Sequence, residues 1–134
     1  MKLILLLDDE PIVMSLLRSL LGQYGLLEAT TGDEALRLFN DHDHQVDLLI
    51  ADVTIPKQSG IQVALLLRSK LPGLPVILTC GYPVGAWSDR DSTDLESLGS
   101  HLVTILEKPF RAQVLLNAVS ELVETPPTEK AGIA

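Results

Sequence analysis

The chain has 134 residues, 46% of them apolar, with a formal net charge of −8 and a single cysteine. That length fits one domain, and the apolar share supports a packed core, which excludes a disordered chain. The acidic balance excludes direct binding to nucleic acid, which needs a basic patch, and one cysteine excludes an internal disulfide.

The longest apolar runs, Leu3 to Leu7 and Val63 to Leu67, are too short to cross a bilayer. The first ends in Asp8-Asp9-Glu10 rather than in the small residues of a secretory leader. A cytoplasmic chain without membrane insertion is the expectation. Cys80 lies in an apolar run with no basic neighbour, and reads as a small buried residue rather than a reactive thiol.

In chain order, Leu3 to Leu7 opens as a strand without polar alternation. Pro11 then suits the first turn of a helix, whose apolar face runs Val13, Leu16, Leu17, Leu20, Leu21 and Tyr24. Gly22 and Gly25 fall where that helix can stop. A second strand covers Leu26 to Glu28, and Thr31-Gly32-Asp33-Glu34 opens a second helix with Ala35, Leu36 and Phe39 inward. A third strand covers Asp47 to Ala51, and a third helix runs from about Gly60 to Leu71 before Pro72-Gly73. The fourth strand is Pro75 to Cys80. Gly81 to Asp89, with Pro83, Gly85 and Trp87, reads as a loop, followed by a short helix over Asp91 to Leu98 capped near Ser92. The fifth strand is Leu102 to Leu106, and a last helix runs from about Arg111 to Val123 with Val114, Leu115, Ala118, Val119 and Leu122 inward. Residues 124–134 are polar, contain Pro126-Pro127, and read as a flexible tail or truncated linker after a 1–123 domain.

Strands buried on both faces and alternating with helices imply a parallel α/β sheet covered on both sides. In such sheets, sites form beyond the carboxyl ends of the strands. Those ends carry Asp8 and Asp9, then Asp52, then Thr79, then Lys108. Crowded carboxylates repel, and a hard cation bound by oxygens, Mg²⁺ or Mn²⁺, relieves them. With a cation and Lys108 to hold phosphoryl oxygens, Asp52 becomes a candidate nucleophile toward phosphorus, and Thr79 a hydrogen-bond donor to the product. Taken singly, Asp9 reads equally well as a helix cap and Asp52 as a turn residue, while Thr79 reads more readily as a strand residue and Lys108 as a solvated one. Their convergence on one edge carries the argument.

Asp8-Asp9-Glu10-Pro11, Asp52 with Pro56 and Gly60, Thr79 after Val76-Ile77-Leu78, and Lys108-Pro109-Phe110 together resemble the receiver domain of two-component signalling. This is the CheY-like, flavodoxin-like fold with strand order 2-1-3-4-5, and the likeness spans roughly Leu3 to Val123. The wording around Thr79 and Lys108 is most similar to receivers of hybrid sensor histidine kinases. The resemblance implies that Asp52 takes a phosphoryl group from phosphohistidine on a sensor histidine kinase or histidine phosphotransfer protein. It implies metal ligation by Asp9, Asp52 and the backbone carbonyl of Thr54, with Asp8 acting through water. It further implies a cis Lys108–Pro109 bond, Lys108 paired with the phosphoryl group, Thr79 as the mobile switch, and readout on the face formed by the fourth helix, fifth strand and fifth helix. Oligomeric state is open from the sequence, a homodimer included.

Ile105 departs from the pattern, because many receivers carry Tyr or Phe there; Tyr82 or Trp87 is the candidate to take its place. That departure keeps open a constitutive interaction module that retains the fold without the switch. A phosphatase of the haloacid dehalogenase type is disfavoured, because Thr54 stands where such enzymes place their second aspartate.

Overall fold

A computed structural model describes residues 1–124. Five parallel strands, β1 (Leu3–Leu7), β2 (Gly25–Ala29), β3 (Leu48–Asp52), β4 (Val76–Cys80) and β5 (Val103–Glu107), form one sheet in the order 2-1-3-4-5. Five helices connect and follow them: α1 (Pro11–Leu20), α2 (Gly32–Asp41), α3 (Gly60–Lys70), α4 (Asp89–Leu98) and α5 (Ala112–Val123). The doubly wound parallel sheet expected from the sequence is the fold observed. The expected tail, residues 125–134, lies outside the described residues.

The pleat divides the core in two. Leu5, Leu7, Leu49, Ala51, Val76 and Leu78 point to one side, where α2, α3 and α4 cover them with Phe39, Ile61, Leu67 and Leu98. Ile4, Leu6, Leu48, Ile50 and Ile77 point to the other, under Met14 and Leu17 of α1 and Leu115 and Val119 of α5. The central strands β3 and β4 are buried along their whole length, which is why they read as unbroken apolar runs.

Helix entries follow from single side chains. Pro11 occupies the first turn of α1. Thr31 accepts a hydrogen bond from the Glu34 N–H at 3.1 Å, and Ser59 accepts one from the Gln62 N–H at 3.2 Å. Arg68, near the end of α3, donates to the carbonyls of Leu74, Leu98 and His101 at 2.9, 3.2 and 2.7 Å, and so ties α3 to the junction between α4 and β5.

Three expectations need correction, and one core residue was not foreseen. α4 begins at Asp89, not Asp91, because Ser88 rather than Ser92 is its cap: the Ser88 hydroxyl accepts from the Asp91 N–H at 3.1 Å. Trp87 belongs to the core although its segment is irregular, with a single 3-10 turn over Val84–Ala86. Its indole N–H donates to the Tyr82 carbonyl at 3.2 Å, which lets the ring be buried without stranding a donor. Leu16 and Val114, expected inward, are exposed; the buried stripes are Met14, Leu17, Leu21 and Leu115, Ala118, Val119, Leu122, Val123, with Val13, Leu20 and Tyr24 packed at their edges.

Candidate functional site

The sheet register brings the strand ends together. Asp52 pairs with Thr79 across β3 and β4, and Thr79 pairs with Leu106 of β5. The chain leaves β1 with the Asp8 N–H on the Ala29 carbonyl, and leaves β5 with the Lys108 N–H on the Cys80 carbonyl at 2.7 Å. Asp8, Asp52 and Thr79 are the buried polar residues of the described chain, at 1%, 4% and 1% exposure. Gly60 makes room for this arrangement: a Cβ there would lie 2.2 Å from the Asp52 carbonyl oxygen.

Lys108 reaches into the group so formed. Its ammonium lies 2.9 Å from Asp52 Oδ2, 2.8 Å from Glu10 Oε1 and 3.3 Å from Asp8 Oδ2. Burial works against that charge, but the hydrogen bonds to Glu10 and Asp52 and the nearby carboxylates outweigh it and hold the lysine above its ordinary range. Burial drives the Asp8 carboxyl the other way, upward from its ordinary value, against the Glu10 N–H at 2.8 Å and Lys108. The Lys108–Pro109 peptide is cis, as the family pattern implied.

Asp8, Glu10 and Asp52 each offer an oxygen, and these oxygens lie within 4.8 Å of one another. The set is anionic and all-oxygen, the chemistry that suits Mg²⁺ or Mn²⁺. Asp9, expected among the metal ligands, is exposed and stands outside this group; Glu10, which was read at the same strand end and in the Asp8-Asp9-Glu10-Pro11 motif but given no ligand role, stands inside it. The signal for Glu10 was its position in the Asp8-Asp9-Glu10 turn, where its own N–H folds back on Asp8. Thr54 sits at the rim with its N–H on Asp52 Oδ1 at 3.1 Å and its hydroxyl 3.4 Å from that of Tyr82. Ile105 lies on β5 and packs against the α4 side of the core, away from these groups.

The chain matches the response regulator receiver domain family over residues 4–120. It belongs to that family. This receiver domain is 30% identical to the sensor kinase CckA of Brucella abortus over 123 residues, which cover 90% of the chain and 12% of that protein. It is 33% identical to the response regulator GtcR of Aneurinibacillus migulanus over 139 aligned residues, 97% of the chain and 53% of that protein. The receiver thus spans about half or less of these relatives' own lengths. Among solved structures, a response regulator receiver protein from Sinorhizobium medicae superposes with a TM-score of 0.77 at 28% identity, covering 92% of this chain and 95% of that one. Relatives thus include both a sensor kinase and a response regulator. Among the described residues, no helix is long and apolar enough to cross a membrane.

Proposed function

We propose that Asp52 is the phosphoacceptor of this receiver, taking its phosphoryl group from phosphohistidine of a sensor histidine kinase or a histidine phosphotransfer protein in the cytoplasm. The observation that carries this reading is the buried Asp52 carboxylate at the end of β3, held by the Lys108 ammonium at 2.9 Å. A carboxylate oxygen of Asp52 forms the new bond to phosphorus while the P–N bond of the donor breaks. The released imidazole takes a proton from solvent, and the product is an acyl phosphate.

Lys108 serves as the positive group for the phosphoryl oxygens, and the hydroxyl of Thr79, a residue paired in register with Asp52, donates to one of them. The Thr54 N–H orients Asp52. Mg²⁺ or Mn²⁺ would be held by Asp8, Asp52 and, following the family pattern, Asp9 and the Thr54 carbonyl. Bound there, it supplies electrostatic stabilisation of the charge on the transferring group. Reading of the phosphorylated state falls to the α4–β5–α5 face, with Thr79, Tyr82 and Ile105 on the route. The domain's own chemistry is confined to accepting and losing this group.

Acetyl phosphate with Mg²⁺ should label the protein with a hydroxylamine-labile phosphate, and Asp52→Asn should abolish the label. Label that survives this substitution sinks the assignment. A constitutive interaction module is the second reading, favoured by Ile105 where an aromatic switch residue is common; it expects no response of the fold to beryllofluoride.

A further inference from the structure

The Lys108 ammonium is itself a cation, and it sits among the carboxylates suited to a divalent ion. Its three partners, Asp8, Glu10 and Asp52, are the same three whose oxygens converge within 4.8 Å. An ammonium has three N–H donors, and all three are engaged by carboxylates here. A divalent ion entering beside Asp8 and Asp52 would repel the ammonium at this range, so the lysine must give way. The three partners differ in where they stand. The Asp8 and Asp52 side chains are 1% and 5% exposed, whereas that of Glu10 is 57% exposed. Glu10 is therefore the partner at the mouth, and it already makes the shortest of the three contacts, 2.8 Å. The four-carbon stem of lysine is flexible enough to swing outward without leaving that contact.

We propose that Glu10 is a positioning residue acting through Lys108: it keeps the ammonium at the mouth of the pocket when a divalent cation displaces it from Asp8 and Asp52. Glu10 then turns the loss of an ion pair into a change of partner, and the lysine stays where a phosphoryl oxygen will need it. This rests on the reading of the pocket as the receiver's phosphorylation site, but concerns how the pocket changes hands between its own lysine and the metal.

The test is a double-mutant cycle on cation binding, with Mn²⁺ alone as the probe and no phosphodonor. Affinity is measured by calorimetry and by loss of the free Mn²⁺ electron-spin signal. Glu10→Gln should weaken Mn²⁺ binding by roughly two- to fivefold, the scale of an exposed ion pair. Lys108→Ala should tighten binding, and adding Glu10→Gln to it should change nothing further. If Lys108→Ala does not fold, Lys108→Gln replaces it. Equal weakening with and without the lysine would mean that Glu10 acts directly on the cation, and would overturn the proposal. An unchanged affinity for Glu10→Gln alone overturns it too. Absence of label on Asp52 strikes the phosphoacceptor reading instead, so the two failures are distinguishable.

Discussion

Asp8 shows how a side chain can serve a site at the expense of the fold. Burial raises its carboxyl pKa, and the Glu10 N–H and Lys108 only partly offset this. A carboxyl whose folded pKa lies above its unfolded value favours the fold when protonated. That contribution is complete below the ordinary Asp range and is lost as pH rises through the folded value. Asp8→Asn, which keeps an acceptor for the Glu10 N–H, should therefore raise the melting temperature of the metal-free domain at neutral pH, by roughly 2–5 °C. The gain should shrink as pH falls into the acid range. Thermal scans across pH check this; a variant less stable than the parent at pH 7 contradicts it. The residues of the pocket were legible because their types are few and complementary. Glu10 was not, because its role depends on a turn that folds its backbone onto Asp8, and on a lysine 98 positions away. The turn shows in the sequence only as a run of three acidic residues, and the pairing with the lysine not at all.

Elements were legible where their burial is symmetrical. β3 and β4 are covered on both faces, so their apolar runs coincide with the strands to within a residue. The edges of helices were harder. Leu16 and Val114 extend apolar stripes past the arc that touches the sheet, and spacing alone does not show how wide that arc is. The entry to α4 was misread because Ser88 and Ser92 are both acceptable caps; Ser88, next to the buried Trp87, is the one that accepts from the Asp91 N–H. The entry to α3 is more constrained. Gly60 lies against the Asp52 backbone, where an added Cβ would meet the carbonyl oxygen at 2.2 Å, a contact that only movement of the chain can relieve. Gly60→Ala should destabilise the domain by about 1–3 kcal/mol, the usual cost of overpacking, and should slow labelling of Asp52 by moving its strand end. Urea unfolding measures the first effect and acetyl phosphate labelling the second. A fully stable variant would show that the α3 entry yields more easily than the close approach implies.

For the molecule as a whole, the question is whether events at the strand ends reach a distant face. Asp52 ends the central strand of the sheet, β5 is an edge strand, and α4 and α5 cover opposite faces. Beryllofluoride with Mg²⁺ should shift backbone amide resonances in α4 and β5 as well as in the pocket. Shifts confined to residues around Asp8, Asp52 and Lys108 would favour the constitutive module instead. The parallel sheet with helices on both faces was legible from the alternation of apolar runs and helical spacing, whereas its strand order came from the resemblance to receivers. The path of signalling was not, since Ile105 removes the residue that commonly marks it.

Trp87 is the sole tryptophan of the chain, buried at 6% exposure, with its indole anchored to the carbonyl of Tyr82. The chain therefore carries one indole fluorophore, which can be excited apart from Tyr24 and Tyr82, and it is tethered to the loop that leaves β4 after Cys80. Any event that pulls this loop toward Asp52 alters the hydrogen bond and the polarity around a single emitter. Stopped-flow emission of the unlabelled protein would thus time the loop's movement against acyl-phosphate formation, with no second tryptophan to blur the trace.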